Sequence, residues 1–261
     1  QTGPGGSVTA ESEQYNGTSW TTVNSNPHSE AYDGAAGGPQ TAAWRCAGYT
    51  TSDDNTTQEY DGTNWTSGGA YPEAVISAGG SGTQTAGLAI AGQLPGSFSP
   101  RSRRETEQYN GTSWTEVGDL NAARSYLTGI GTQTAALAVG GSPDTAANES
   151  WNGSSWTEVG DLNTARHTLD GTGSQSDGFV FGGDTSPGKT AVTENWNGNN
   201  WAEVADLNQL RGNLSGAGTT TAGLAFAGNI PPHTAATEEW NGSGFLFHII
   251  QNSIKITKFF R

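Results

Sequence analysis

The sequence predicts an all-β fold assembled from repeated four-stranded antiparallel units, and three observations predict it. An aromatic-Asn/Asp-Gly triplet starts at Tyr15, Tyr60, Tyr109, Trp151, Trp196 and Trp240, at intervals of 45, 49, 42, 45 and 44 residues. Five residues after the start of each triplet stands a second aromatic: Trp20, Trp65, Trp114, Trp156, Trp201 and then Phe245. Gly makes up 39 of the 261 residues and Met is absent, so turn and strand formers outweigh helix formers.

Each unit divides into four short segments. In the third complete unit, Ser125 to Thr128 is expected as a first strand, ended by Gly129 and Gly131. Thr134 to Val139 alternates as a second strand, with Ala135, Leu137 and Val139 on one face and Thr134, Ala136 and Ala138 on the other. Gly140-Gly141 stops it, and Gly182-Gly183 stands at the same place one unit later. Ala146 to Trp151 is the third strand and Trp156 to Val159 the fourth, joined by an Asn152-Gly153 hairpin signal. Four short strands in about 45 residues, with a turn signal every 8–12, predict a blade of a β-propeller. Ala and Gly on the inner strands permit close approach to a central axis. The tryptophans at positions 20, 65, 114, 156 and 201 fill the widening outer wedge between blades. Each such ring buries roughly 150–250 Å², on the order of 4–6 kcal/mol before entropy is charged.

The whole chain, 1–261, is expected as one propeller domain. Residues 1–23 supply a partial blade, its third and fourth strands only; 24–245 supply five full units; 246–261 form an atypical closing segment. Six blades are expected, with five as the alternative. In the six-bladed arrangement the alternating run Ser253 to Phe260 pairs with the N-terminal strands and covers open edges. The same tail is compositionally foreign to the repeats, as a docking segment or a recent change of sequence such as a frameshift would be.

The double Gly after an apolar strand, then aromatic-Asp/Asn-Gly, then Trp, resembles the kelch repeat from Glu11 to about Phe245. The resemblance implies a circular propeller of four-stranded blades. The Thr/Gly-rich form of these repeats, Tyr109-Asn110-Gly111-Thr112-Ser113-Trp114 above all, further resembles repeats of environmental and marine bacteriophage structural proteins. Departures are present: Ala47-Gly48, Ala91-Gly92 and Ala227-Gly228 replace Gly-Gly. The arginine at Arg124, Arg166 and Arg211 gives way to Ala31 and Val75 in the first two full units.

Little in the chain points to catalysis. Kelch-like propellers include copper oxidases, but His28, His167, His233 and His248 each fall at a different place in their repeat, so symmetry builds no ligand ring. No metal or other cofactor is expected. Cys46 is the lone cysteine and is expected as a small buried residue. Glu116, Glu158 and Glu203 alternate onto a solvent face. A net charge of −14 argues against nucleic-acid binding and against docking on an anionic membrane. No apolar run is long enough to cross a bilayer.

Two sets of basic residues are candidate ligand contacts. Arg124, Arg166 and Arg211 recur at the start of the inner strand, from where they would hold an anion in a central channel or bond to backbone carbonyls. Arg101, Arg103 and Arg104 lie in the longest insertion, Gln93 to Glu105, and suit an acidic partner or a glycan. The chain is therefore expected to be a non-enzymatic structural or binding propeller of a virion or extracellular surface. A tail-fibre or decoration role in host attachment fits it, with other virion or surface proteins, or a host glycan, as partner. A homo-oligomer is compatible. The alternative is a secreted carbohydrate-binding lectin with repeated shallow sites.

Overall fold

The computed structural model describes residues 10–27, 33–49, 54–96, 101–230 and 234–248, all in strands, turns and loops, with no helix among them. A two-stranded sheet comes first, β1 (Ser12–Tyr15) and β2 (Trp20–Val23). Blade 1 holds β3 (Ala35–Gly37), β4 (Ala43–Cys46), β5 (Thr57–Tyr60) and β6 (Trp65–Ser67). Blade 2 holds β7 (Gly79–Thr83), β8 (Ala86–Ile90), β9 (Thr106–Tyr109) and β10 (Trp114–Glu116). Blade 3 holds β11 (Thr128–Thr132), β12 (Ala135–Val139), β13 (Asn148–Trp151) and β14 (Trp156–Glu158). Blade 4 holds β15 (Asp170–Gly173), β16 (Gly178–Phe181), β17 (Thr193–Trp196) and β18 (Trp201–Glu203). Blade 5 holds β19 (Ser215–Gly218), β20 (Gly223–Phe226), β21 (Thr237–Trp240) and β22 (Phe245–His248).

The protein is a β-propeller with five complete four-stranded antiparallel blades among the described residues. The first strands of successive blades lie side by side: β3 on β7, β7 on β11, β11 on β15, β15 on β19. The β1–β2 sheet sits between blade 5 and blade 1. The Trp20 indole N–H donates to Thr237 Oγ1 at 3.1 Å, and that of Trp65 donates to Ser12 Oγ at 3.1 Å. Among the described residues, 10–23 thus give the outer two strands of a sheet, as their register in the repeat requires. Five blades was the lesser expectation. The run Ser253 to Phe260, on which a sixth depended, lies outside the described residues.

The first strand of blade 3 is Thr128–Thr132, three residues later than its sequence suggests. Gly129 and Gly131 lie within it and do not end it. The reason is the crowding near the axis. A Cβ on Gly129 would stand 3.0 Å from Gly80 O, and one on Gly80 2.3 Å from Ala36 O. Strand β12 shows why alternation alone understated burial. Both faces are covered, Ala136 and Ala138 packing with Leu88 and Ile90, and Leu137 and Val139 with Ile130 and Val180. Strands β8, β12 and β16 are each shared in this way between two interblade cores.

The double-Gly positions differ in what they demand. The first is left-handed in every blade, at φ 54° (Ala47), 56° (Ala91), 66° (Gly140), 60° (Gly182) and 57° (Ala227). Alanine can occupy that region at a cost of roughly 1–2 kcal/mol. The second is always Gly, at φ 99–126° between Gly92 and Gly141, where a Cβ is excluded. Its N–H donates to the next blade: Gly48 to Val75 O, Gly92 to Arg124 O, Gly141 to Arg166 O, Gly183 to Arg211 O. A parallel series links Ser77, Tyr126, Thr168 and Asn213, each N–H reaching the carbonyl of its counterpart one blade back. We expect Gly182→Ala to leave the fold within about 1–2 kcal/mol of the parent. Gly183→Ala should cost roughly 3 kcal/mol, since φ 110° lies well beyond the left-handed region that Ala47, Ala91 and Ala227 occupy at the first position. Paired urea titrations check the contrast.

Trp20, Trp65, Trp114 and Trp156 each stitch neighbouring sheets through one polar bond. Trp114 Nε1 donates to Thr57 Oγ1 at 2.8 Å and Trp156 Nε1 to Thr106 Oγ1 at 2.9 Å. At the equivalent point facing Trp201 stands Asn148, and both the Trp201 Nε1 and the Asn148 Oδ1 are buried without a partner. Asn148→Thr restores the hydroxyl and is expected to raise stability by about 1 kcal/mol in chemical denaturation. At the opposite end of each blade, the Asn-Gly loops are four-residue connections, Tyr15 pairing Trp20 and Trp151 pairing Trp156. Only the Gly has positive φ, 91° at Gly153. The Asn acts through its side chain, Asn152 Oδ1 accepting from the Ser154 and Ser155 N–H groups.

Candidate binding site

Antiparallel pairing places the connections between second and third strands at the same end of the ring as the crossovers between blades. At that end, blades 3, 4 and 5 each bury one arginine. Arg124 is 2 % exposed; its Nη1 donates to Gly140 O and Ala147 O, both at 2.8 Å, and its Nη2 to Ala138 O at 3.1 Å and Glu149 Oε1 at 2.9 Å. Arg166 repeats this with Val192 O at 2.6 Å and Glu194 Oε1 at 3.1 Å. Arg211 repeats it with Ala227 O at 3.2 Å, Ala236 O at 3.0 Å and Glu238 Oε1 at 2.7 Å. The other carboxylate oxygen accepts from an asparagine, Asn121 Nδ2 on Glu149, Asn163 Nδ2 on Glu194 and Asn208 Nδ2 on Glu238, at 2.7–2.9 Å. The three arginines therefore sit inside their own blades as cross-links to carbonyls and Glu, not in the channel. Burial lowers the pKa of each, that of Arg166 to about 10, against the opposing pull of Glu194.

Blade 2 keeps the carboxylate and loses its donors. Strand register aligns Glu107 with Glu149, and chain order aligns Val75 with Arg124 and Pro72 with Asn121. Valine has no guanidinium and proline no N–H. Glu107 is 5 % exposed and its Oε2 is buried without a partner. Burial, with Glu116 and Glu105 nearby, pushes its pKa up to about 7. Blade 1 lacks the pair differently, Gln58 replacing the Glu on β5; its Ala31 lies outside the described residues.

Where the arginine is missing, a cleft of about 300 Å³ opens, lined by Tyr71, Val75, Ala91, Arg103, Glu105 and Glu107 among others. Glu73 and Glu116 stand at its rim. The inserted segment borders it as a short hairpin, Gln93 bridging Ile76 on one side and Ser102 on the other; residues 97–100 lie outside the described ones. The arginines of the insertion do not act as one cluster. Arg103 turns into the cleft, its Nε on Glu105 Oε2 at 2.7 Å and its Nη1 on Glu73 Oε2. Arg104 Nε pairs with Asp119 Oδ2 at 3.1 Å. Arg101 is exposed, its Nε on Leu94 O at 3.4 Å. Arg103 and two backbone N–H groups hold Glu105 at a pKa of about 2, although burial opposes them.

Glu107 was not singled out from the sequence. The signal was present: Arg124, Arg166 and Arg211 accompany Glu149, Glu194 and Glu238, Ala31 accompanies Gln58, and only Val75 faces an unchanged Glu. Elsewhere, Cys46 is fully buried and burial raises its thiol pKa well above the usual range. His167 Nδ1 lies 2.6 Å from Asp144 Oδ1. His28 and His233 lie outside the described residues. Glu116, Glu158 and Glu203 are exposed, although each stands two residues after a buried Trp: the outermost strands leave both residues that follow the Trp to solvent. No group of three or more His, Cys, Asp or Glu among the described residues is placed to hold a metal ion. No family model matches the chain, and no curated protein matches its sequence.

Proposed function

We propose that the chain is a non-catalytic binding propeller that works on a virion or extracellular surface and meets its partner with the blade 2 end of the ring. One observation carries this reading. Blades 3, 4 and 5 obey the repeat closely at that end, while among the described residues blade 2 alone combines an inserted hairpin, an open cleft and a buried carboxylate without donors. Energy that the repeat spends on internal cross-links is there left available to a partner. The net charge of −14 favours solubility and disfavours phosphate-rich partners. Kelch-like repeats of the Thr/Gly-rich phage type support a display role in attachment or subunit contact.

The test converts blade 2 into a copy of blade 3. Pro72→Asn and Val75→Arg are combined with replacement of Gln93–Glu105 by the sequence of Ser142–Ala147. Immunogold labelling of particles and cells from the source should place the parent protein on an outer surface. Labelled parent protein, added back to those surfaces, should bind, and the converted protein should fold but bind at least about tenfold more weakly. Labelling confined to cell interiors overturns the surface assignment. Unchanged binding by a folded converted protein overturns the assignment of the site.

A further inference from the structure

We infer that the blade 2 cleft is a receptor for an alkylguanidinium group, seated on Glu107 and on the carbonyl oxygens of Ala89, Ala91 and Glu105. The inference rests on reading blade 2 as the binding end and goes further by naming the chemistry of the ligand. The template is the protein itself. In blade 3 a guanidinium satisfies Glu149 and the carbonyls of Ala138, Gly140 and Ala147 simultaneously. Strand pairing makes Ala89, Ala91, Glu105 and Glu107 the counterparts of those four residues. The frame that fixes the carbonyls is intact. Ala91 N–H donates to Glu105 O at 2.8 Å, as Gly140 N–H does to Ala147 O at 2.9 Å. Only the occupant is missing, because Val75 ends at its Cγ atoms.

Three features select a guanidinium over other ligands. The acceptors are one carboxylate and several carbonyls arranged for a planar fork of N–H donors, which an ammonium point charge does not match. The cleft is acidic: Glu73, Glu105, Glu107 and Glu116 surround the single Arg103, whose bonds go to Glu73 and Glu105 and leave Glu107 unpaired. Its volume of about 300 Å³ lies at the small end of ligand sites and suits one side chain. Glu13 on β1 holds the same register place, but no described inner strand supplies carbonyls beside it. An arginine side chain of a partner protein and a free guanidino compound share this chemistry.

Isothermal titration of the full chain tests it with three probes: methylguanidinium, Nα-acetyl-arginine-methylamide and Nα-acetyl-lysine-methylamide. Either guanidino probe should bind at least about tenfold more tightly than the lysine probe. Binding of both guanidino probes assigns a peptide-borne arginine; binding of methylguanidinium alone assigns a free small ligand. Glu107→Gln should weaken guanidino binding by at least about tenfold. Val75→Arg, which supplies the missing group internally, should abolish it and raise the melting temperature. Arg103→Ala, which frees two more carboxylates, should tighten it. Guanidino binding that is absent, that does not exceed lysine binding, or that persists in a folded Val75→Arg protein overturns the inference. Surface binding that blade conversion removes, without guanidino binding, sinks the guanidinium receptor and leaves the binding end standing; the reverse result does the opposite.

Discussion

Replacing Arg166 by valine is expected to cost about 3–5 kcal/mol, the largest single-residue effect at this end of the ring. The change leaves Glu194, fully buried, with one fewer donor and strips a donor from Val192 O. A buried carboxylate without its cation is the expensive half of the pair. The cost of removing both halves should be smaller. Arg166→Val with Glu194→Gln imitates blade 1, where Gln58 is buried in the carboxylate's place. The double variant is expected to recover about half of the loss in urea denaturation, giving a coupling energy of at least roughly 2 kcal/mol. If the two single changes simply add, the cross-link has no cooperative role, and the contrast drawn between blades 2 and 3 loses its energetic basis.

The parts of this fold that were legible in the sequence are those that recur with fixed spacing. The anchor tryptophans, the second glycine of each pair and the Asn-Gly loops do one job in each blade, so repetition exposes them. The innermost strands were misplaced because their glycines serve a partner strand in the next blade. Gly129 makes room for Gly80, some fifty residues earlier, and no local window contains that constraint. The arginines were found as a set but not their destination. Arg124 meets Glu149 only after the chain has turned twice, through β11, β12 and into β13. The cleft was the least legible feature, since it consists of a residue that is not there. Comparing the blades with one another makes it visible, because Pro72 and Val75 are unremarkable until set beside Asn121 and Arg124. The insertion at Gln93 lies in the blade that carries the cleft, and its charges are paired: Arg103 and Arg104 spend theirs on Glu73, Glu105 and Asp119.

The stability of the protein should fall as pH rises from about 4.5 to about 7, and Glu107 should be the main cause at this site. Its carboxyl carries a folded pKa of about 7 against an ordinary value of 4.5. The sign follows from proton binding. Between those two values the unfolded chain has lost the proton and the folded protein holds it, so folding is favoured by protonation. The contribution is complete below about 4.5 and is lost as pH passes through about 7. Its full size is on the order of 3 kcal/mol. Glu107 feels burial first, then the charges of Glu116, Glu105 and Asp119, with Arg103 opposing them. Tyr71 and Glu73 line the same cleft. Glu107→Gln removes the titrating group without altering its neighbours, so the variant should be more stable than the parent at pH 8 and nearly equal to it at pH 4. Val75→Arg should give the same flattened profile by a different route, pairing the carboxylate and lowering its pKa. Denaturation midpoints at both pH values for the three proteins decide it. A parent and a Glu107→Gln protein that differ equally at pH 4 and pH 8 would show that the carboxylate is already satisfied, and the cleft would then hold nothing that a cation is needed to complete.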